Sequence, residues 1–138
     1  MRLHKDAKVD LIHHVPLFAG CSKKELRAIA SLADEIDFSA GKVLIQEGRP
    51  GREFFVLVEG EAEVTRKGQR IDTVAAGDFF GEMALISKQP RNATITLLTP
   101  SRLLVVTERD FSRLLETSPE IQRKVLIALA DRLAPEAV

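Results

Sequence analysis

A short stretch between two turns carries the residues best suited to bind an anion. Gly77 and Asp78 mark a turn, and Gly81 then opens a run of good helix formers, residues 82–86, which Pro90 ends. The first N–H groups of a helix have no partner inside it, so this predicted short helix offers donors and its positive dipole end to an anion. Phosphate is the expected ligand.

Two side chains beside this helix extend the prediction from an anion to a ribose phosphate. Arg91 follows the helix, and its planar guanidinium can donate to two phosphate oxygens at once, a geometry that lysine does not reproduce. Glu82, at the helix start, would repel a phosphate in direct contact, so we expect it to face a neutral group such as a sugar hydroxyl. One acid and one arginine together indicate a ribose-phosphate ligand.

Residues 80–94 also carry a resemblance to a known family. They contain Phe80-Gly81-Glu82-Met83-Ala84-Leu85 and then Pro90-Arg91-Asn92-Ala93-Thr94. This pattern resembles the phosphate-binding cassette of the cyclic nucleotide-binding domain, a family that includes regulatory subunits of cyclic AMP-dependent protein kinase, bacterial catabolite activators and cyclic nucleotide-gated channels. Below, "the cassette" means residues 80–94.

The resemblance implies a role for each cassette residue. Glu82 is expected to accept the ribose 2′-hydroxyl, Arg91 to bind the cyclic phosphate, and the backbone amides of Ala84 and Asn92 to complete the phosphate cage. Ala93 is expected to lie close against the ligand. The predicted ligand-binding set is therefore Gly81, Glu82, Met83, Ala84, Arg91, Asn92 and Ala93.

The pocket for the base is less well determined by the sequence than the phosphate site is. The candidates to line it are Val64, Ile71, Val74 and Met83. Strand register decides which of them point inward, and the sequence alone does not fix the register. The resemblance implies a lid over the base from the last helix, with Arg132 or Leu133 as the capping residue, and a solvated helix-end charge is the alternative for Arg132. After the cassette arginine, threonine usually accompanies cyclic GMP and alanine cyclic AMP. Asn92 matches neither, so cyclic AMP is favoured and cyclic GMP stays open.

Composition limits the classes of partner. The 138 residues are expected to form one domain, and 20 basic side chains balance 20 acidic ones, which removes any simple electrostatic argument for nucleic-acid or acidic-membrane binding. No apolar run approaches the roughly 20 residues that a membrane span needs, and the N-terminus has no secretion-like segment, so we expect a cytoplasmic protein. Cys21 is expected to be a small, partly buried side chain beside a helix start, with no nucleophilic role.

The remaining patterns predict a mainly β protein of the α+β class. Ser22 to Glu25 has the form of a capping box, which predicts a helix over 22–33 within a helical segment 7–33. Glycine-punctuated runs of β-branched and aromatic residues then indicate seven or eight strands over 35–106. The resemblance implies an eight-stranded antiparallel jelly-roll barrel, with the cassette helix as the only helix inside it. Two C-terminal helices are predicted over 107–134, the second starting at Pro119.

The last helix indicates regulation and not chemistry. It is apolar on more than one side, with Ile121, Val125, Leu129 and Leu133 recurring every four residues. It could close over the ligand, form a homodimer or pack on its own domain. We expect the ligand to stabilise these helices against the roll and so to signal to an unidentified effector protein or attached output domain. The chain is therefore expected not to be an enzyme.

Two other classes are open to the sequence. A cupin-type metalloenzyme uses a similar roll, but its metal needs histidines that point inward from strands. Here His4, His13 and His14 all precede the predicted strands. An interaction module without a ligand is the stronger rival, because a fold does not guarantee a function. The presence of both Glu82 and Arg91 argues against it.

Overall fold

The computed structural model describes residues 5–15, 18–81 and 88–133. Four helices lie in these ranges: α1 (Lys5–His13), α2 (Lys23–Leu32), α3 (Glu108–Thr117) and α4 (Pro119–Leu133). Eight strands accompany them: β1 (Asp34–Phe38), β2 (Val43–Ile45), β3 (Glu53–Glu59), β4 (Glu61–Arg66), β5 (Gln69–Ala75), β6 (Phe79–Phe80), β7 (Thr94–Leu97) and β8 (Ser101–Thr107). The helix predicted inside the cassette, over residues 82–86, lies outside the described residues.

The strands form two antiparallel four-stranded sheets. One has the order β1-β8-β3-β6 and the other β2-β7-β4-β5, so sequence neighbours are often separated in the sheets. This arrangement confirms the predicted α+β class and the eight antiparallel strands of a jelly-roll type fold. The short strand β6 was not predicted separately, because its two residues open the cassette pattern.

Strand β3 is buried on both faces, in keeping with its run of five apolar residues, 54–58. Phe54 and Val56 point towards the helices, while Phe55 and Leu57 point towards the second sheet. The first sheet is therefore the middle layer of three, with the helices on one side and the second sheet on the other. Phe54 also stacks on Phe111 of α3, with ring centroids 4.8 Å apart.

Helix starts follow the predicted caps. Ser22 accepts the backbone N–H of Glu25, and the Glu25 side chain accepts the N–H of Ser22, which completes the predicted capping box of α2. The Thr107 hydroxyl accepts the N–H of Asp110 at the start of α3. Pro119 is the first residue of α4, where its missing N–H costs nothing.

One carboxylate joins the N-terminal helices to the C-terminal ones. The Ser118 hydroxyl, which accepts the N–H of Ile121 at 3.3 Å, donates to Oε2 of Glu25. This hydrogen bond is the main reason why the pKa of Glu25 lies below its usual value, and the Ser22 backbone N–H lowers it further. We call this contact between residues 25 and 118 the helix junction.

Cys21 lies beside the helix junction and is buried, more completely than the partly buried side chain that was predicted. Burial raises the pKa of its thiol to about 11, and the nearby carboxylate of Glu25 adds to the effect. A buried thiol that stays protonated at neutral pH is a poor nucleophile, in agreement with a packing role.

Candidate functional site

Arg91 lies at the centre of the described part of the site. Its side chain is 7% exposed, and its guanidinium donates through Nη1 to the carbonyl of Gly81 and through Nη2 to the carbonyl of Glu53, both at 2.7 Å. These carbonyls belong to the entrance of the cassette and to the first residue of β3. The side chain therefore ties the cassette to the middle sheet and is held in a fixed orientation.

The backbone of Arg91 is fixed as well. Its N–H donates to the carbonyl of Arg49, and its carbonyl accepts the N–H of Gly48, both at 2.8 Å. In a trans peptide the carbonyl and the following N–H point in opposite directions. The N–H of Asn92 is therefore aimed away from Gly48, so the loop that holds Arg91 also sets the direction of this donor.

Gly81 must be glycine for two reasons. Its φ of +97° lies in the region that side chains disfavour, and a Cβ added there would lie 2.9 Å from the carbonyl oxygen of Glu53 and 3.1 Å from Nη1 of Arg91. The close approach is what allows the Gly81 carbonyl to accept from Arg91. The predicted site residues Gly81 and Arg91 are thus in direct contact.

The other predicted ligand-binding residues are distributed as follows. Ala93 is buried, whereas Asn92 is exposed. Glu82, Met83 and Ala84 lie outside the described residues, so their roles stay predictions.

The candidates for the base pocket occupy different environments. Val64 and Val74 belong to the core between the two sheets. Ile71 is 50% exposed, because Val64 pairs with Asp72 and Thr65 with Arg70, which leaves Ile71 as the extra residue of a β-bulge. Arg132 and Leu133 are the last two residues of α4 in the described chain. Their assignment to a base pocket or lid stays a prediction.

The exit of the cassette is tied to the C-terminal helices. Lys88, whose φ is +62°, forms a 2.6 Å ion pair with Glu108 in the first turn of α3. The hydrogen bond from Lys88 holds the pKa of Glu108 below its usual value, and the Lys88 charge lowers it further. The backbone N–H of Glu108 also donates to the carbonyl of Arg52, next to Glu53. A cleft of about 440 Å³ opens here, lined by Arg52, Thr107, Glu108, Arg109 and Ser112.

Sequence reasoning missed the two carbonyl partners of Arg91 and one further arginine. Backbone carbonyls leave no mark in a sequence, so Glu53 could not be found by its side chain. Arg66 is different: it lies two residues after Val64 on β4 and donates through Nε to the carbonyl of Asn92 at 2.9 Å. The alternation of a strand would have placed it on the same face as Val64.

The residues that the structure describes contain neither a metal-binding cluster nor a membrane-spanning helix. Across 5–15, 18–81 and 88–133, no group of three or more histidine, cysteine, aspartate or glutamate side chains is arranged to hold a metal ion. In the same ranges no helix is long and apolar enough to cross a membrane.

The fold and the cassette geometry agree with the comparisons to known proteins. Residues 35–118, more than half of the chain, match the family model described as "Cyclic nucleotide-binding domain". The chain belongs to the cyclic nucleotide-binding domain family. This match confirms the resemblance drawn from residues 80–94.

Individual relatives support the same assignment. The chain is 33% identical over 114 residues to the cAMP-dependent protein kinase regulatory subunit of Schizosaccharomyces pombe, covering 82% of this chain and 28% of the relative. It is 41% identical over 110 residues to the regulatory subunit of Mycosarcoma maydis, covering 73% and 21%. The Thermus thermophilus catabolite activator protein structure superposes with a TM-score of 0.80 at 25% identity, covering 88% of this chain and 59% of that one. The chain thus spans about a quarter of the length of these curated relatives.

Proposed function

We propose that this chain is a cyclic nucleotide sensor whose ligand is cyclic AMP, with cyclic GMP as the competing ligand to be tested. The observation that carries the proposal is the fixed guanidinium of Arg91 at the entrance of the cassette, within a domain of the cyclic nucleotide-binding family. The choice of cyclic AMP is supported by relatives named as cAMP-dependent kinase subunits. We treat residues 1–138 as a single binding domain.

In this proposal Arg91 neutralises the cyclic phosphate and Glu82 accepts the ribose 2′-hydroxyl. The backbone amides of Ala84 and Asn92 donate to the phosphate, and Gly81, Met83 and Ala93 pack around the ligand. Val64, Ile71 and Val74 are proposed to contact the base, and Arg132 or Leu133 to cover it. Hydrogen bonds to a charged group contribute about 1.5–3 kcal/mol each, so three of them approach the ~8 kcal/mol of micromolar affinity.

The proposed output is a movement of the C-terminal helices, since no reaction is assigned to the site. Two contacts support it: the ion pair between Lys88 and Glu108, and the hydrogen bond from Glu108 N–H to the carbonyl of Arg52. Ligand bound in the cassette would shift the position of α3 by as much as its affinity differs between the two arrangements. The proposed effector is a protein kinase chain, because the relatives are named as kinase regulatory subunits.

Isothermal titration tests the proposal. The purified protein is unfolded and refolded to remove bound nucleotide and is then titrated with cyclic AMP, cyclic GMP and 2′-deoxy cyclic AMP. We expect saturable micromolar binding of cyclic AMP, with much weaker binding of the 2′-deoxy compound because its missing hydroxyl leaves Glu82 unpaired. If neither cyclic AMP nor cyclic GMP binds at millimolar concentration, the proposal of a nucleotide sensor is refuted and an interaction module is favoured.

Variants of Arg91 locate the binding site. Arg91→Ala is expected to weaken cyclic AMP at least a hundredfold, and Arg91→Lys is not expected to rescue it, because one ammonium cannot replace a planar fork. The control is Arg70→Ala, since Arg70 is an exposed arginine that pairs with Glu63 at 2.6 Å. Circular dichroism checks that each variant folds. Retained affinity in either Arg91 variant would contradict the assignment of the cassette.

A further inference from the structure

The register of the second sheet places Arg66 on the face of that sheet that packs against the first sheet. Ala62 and Val64 pair with Leu97 and Ile95 of β7, and all four belong to the core between the sheets. Side chains on a strand alternate, so the residue two positions after Val64 emerges on this same inner face. Continued by two residues, the register brings Arg66 opposite Ala93 of the cassette. Arg66 thus lies at the end of β4, between the apolar core of the two sheets and the cassette.

Arg66 fixes the peptide between Asn92 and Ala93. Its Nε donates to the carbonyl of Asn92 at 2.9 Å. The trans peptide then directs the N–H of Ala93 away from Arg66. The preceding peptide is already fixed by the hydrogen bond from Gly48 N–H to the Arg91 carbonyl. Two successive peptide planes of the cassette are therefore oriented by residues outside it, one from a loop and one from the Arg66 side chain.

The charge of Arg66 is disposed differently from that of its neighbour Arg70. Arg70, on β5, lies opposite Thr65 of β4 and forms an ion pair with Glu63 at 2.6 Å. Among the ion pairs formed within the described ranges, none involves Arg66. Its Nε donates instead to a neutral carbonyl, that of Asn92. The Arg66 charge can therefore attract an incoming anion, although solvent screens it and the Glu47 carboxylate accepts the N–H of the adjacent Lys67 at 3.0 Å.

We propose that Arg66 is a positioning residue of the nucleotide site. It orients the Asn92–Ala93 peptide for the ligand and adds a second positive charge, beside that of Arg91, for the cyclic phosphate. The inference rests on the proposed function, in that the anion it serves is the cyclic nucleotide. It deepens that function by assigning a ligand-organising role to a strand residue outside the cassette.

The test compares Arg66→Ala and Arg66→Lys with the control Arg70→Ala, an arginine on the same hairpin. Cyclic AMP binding is measured by titration calorimetry at low and high salt, and the amide resonances of Asn92 and Ala93 are recorded by nuclear magnetic resonance without ligand. Arg66→Ala should lose about tenfold in affinity, as expected for one charge-assisted hydrogen bond, with both amides shifted and the protein still folded at the assay temperature. Arg66→Lys should keep the salt dependence of the wild type but show the same shift of the Ala93 amide.

The outcomes separate this inference from the proposed function. If wild-type protein binds cyclic AMP and Arg66→Ala binds it equally well, the role of Arg66 is overturned. If Arg70→Ala loses as much affinity as Arg66→Ala, the effect is one of general charge and positioning is also refuted. If the wild type does not bind cyclic AMP, the proposed function fails. In that case unchanged amide resonances in Arg66→Ala would still overturn the positioning of the peptide. If Arg66→Ala does not fold, Arg66→Lys decides by the same two readouts.

Discussion

Replacing Ser118 by alanine should destabilise the domain more than its small size suggests. The hydroxyl is 3% exposed, donates to Glu25 and accepts the N–H of Ile121 at 3.3 Å. The other oxygen of the Glu25 carboxylate accepts the N–H of Ser22 at 2.9 Å. Ser118→Ala therefore removes the cap of α4 and one of the two donors that hold the α2 carboxylate in place.

The magnitude follows from these two losses. A helix N-cap contributes about 1 kcal/mol, and a hydrogen bond to a charged group about 1.5–3 kcal/mol. Glu25 is only partly buried, so water replaces some of the second contribution, and we expect a loss of about 2–3 kcal/mol in the free energy of unfolding. The control Ser31→Ala removes an exposed hydroxyl that donates within α2, to the Ala28 carbonyl, and should change stability by less than about 0.5 kcal/mol.

The same contact predicts a dependence on pH. The folded-state pKa of Glu25 lies below 4.5, its ordinary value, with the Ser118 hydrogen bond as the largest cause. A carboxyl group with a lowered pKa contributes stability that is fully present above 4.5 and is lost as the pH falls through the folded-state pKa. Ser118→Ala should therefore lose less stability than the wild type on acidification, because the main cause of the shift is gone.

Urea unfolding at neutral and acidic pH, for the single variants Ser118→Ala and Glu25→Gln and for the double variant, measures all of this. We expect a coupling free energy of at least about 0.5 kcal/mol between the two positions, as for residues in one hydrogen-bond network. Additive single effects, or a Ser118→Ala variant as stable as Ser31→Ala, would refute the account of the helix junction.

Two further predictions concern single residues. Gly81→Ala should cost about 1–3 kcal/mol in unfolding free energy and weaken cyclic AMP binding, because the new Cβ is strained at a φ of +97° and lies 2.9 Å from the Glu53 carbonyl oxygen. Normal urea stability and normal affinity would contradict this. The thiol of Cys21 should react with Ellman's reagent at pH 8 about a hundredfold more slowly in the folded protein than in urea, since burial raises its pKa from 9.0 to about 11. Equal rates would show that Cys21 is accessible.

The elements were predictable because local chemistry decides them. The capping box at Ser22, the proline at residue 119 and the apolar run of β3 each determine a helix start or a buried strand through neighbours in sequence. The short strand β6 was missed because two residues carry no periodicity.

Most of the site depends on contacts between distant parts of the chain. Arg91 was predicted from the sequence, but its partners Gly81 and Glu53 lie 10 and 38 residues away and accept through backbone carbonyls. The bulge that exposes Ile71 depends on the pairing of β4 with β5, which the sequence of either strand leaves open. Arg66 was detectable only once strand β4 and its inward face were known.

The stacking of Phe54 on Phe111 has a consequence for how such sequences diverge. Phe54 directly follows Glu53, whose carbonyl holds Arg91, and its ring lies 4.8 Å from that of Phe111 on α3. A change of side-chain volume at residue 111 is therefore compensated most simply at residue 54, which directly follows the residue whose carbonyl holds Arg91. Among homologues that keep the arginine, positions 54 and 111 should covary. Sequence changes in the helix layer would then be accompanied by changes in β3, the strand whose first carbonyl holds the guanidinium of Arg91.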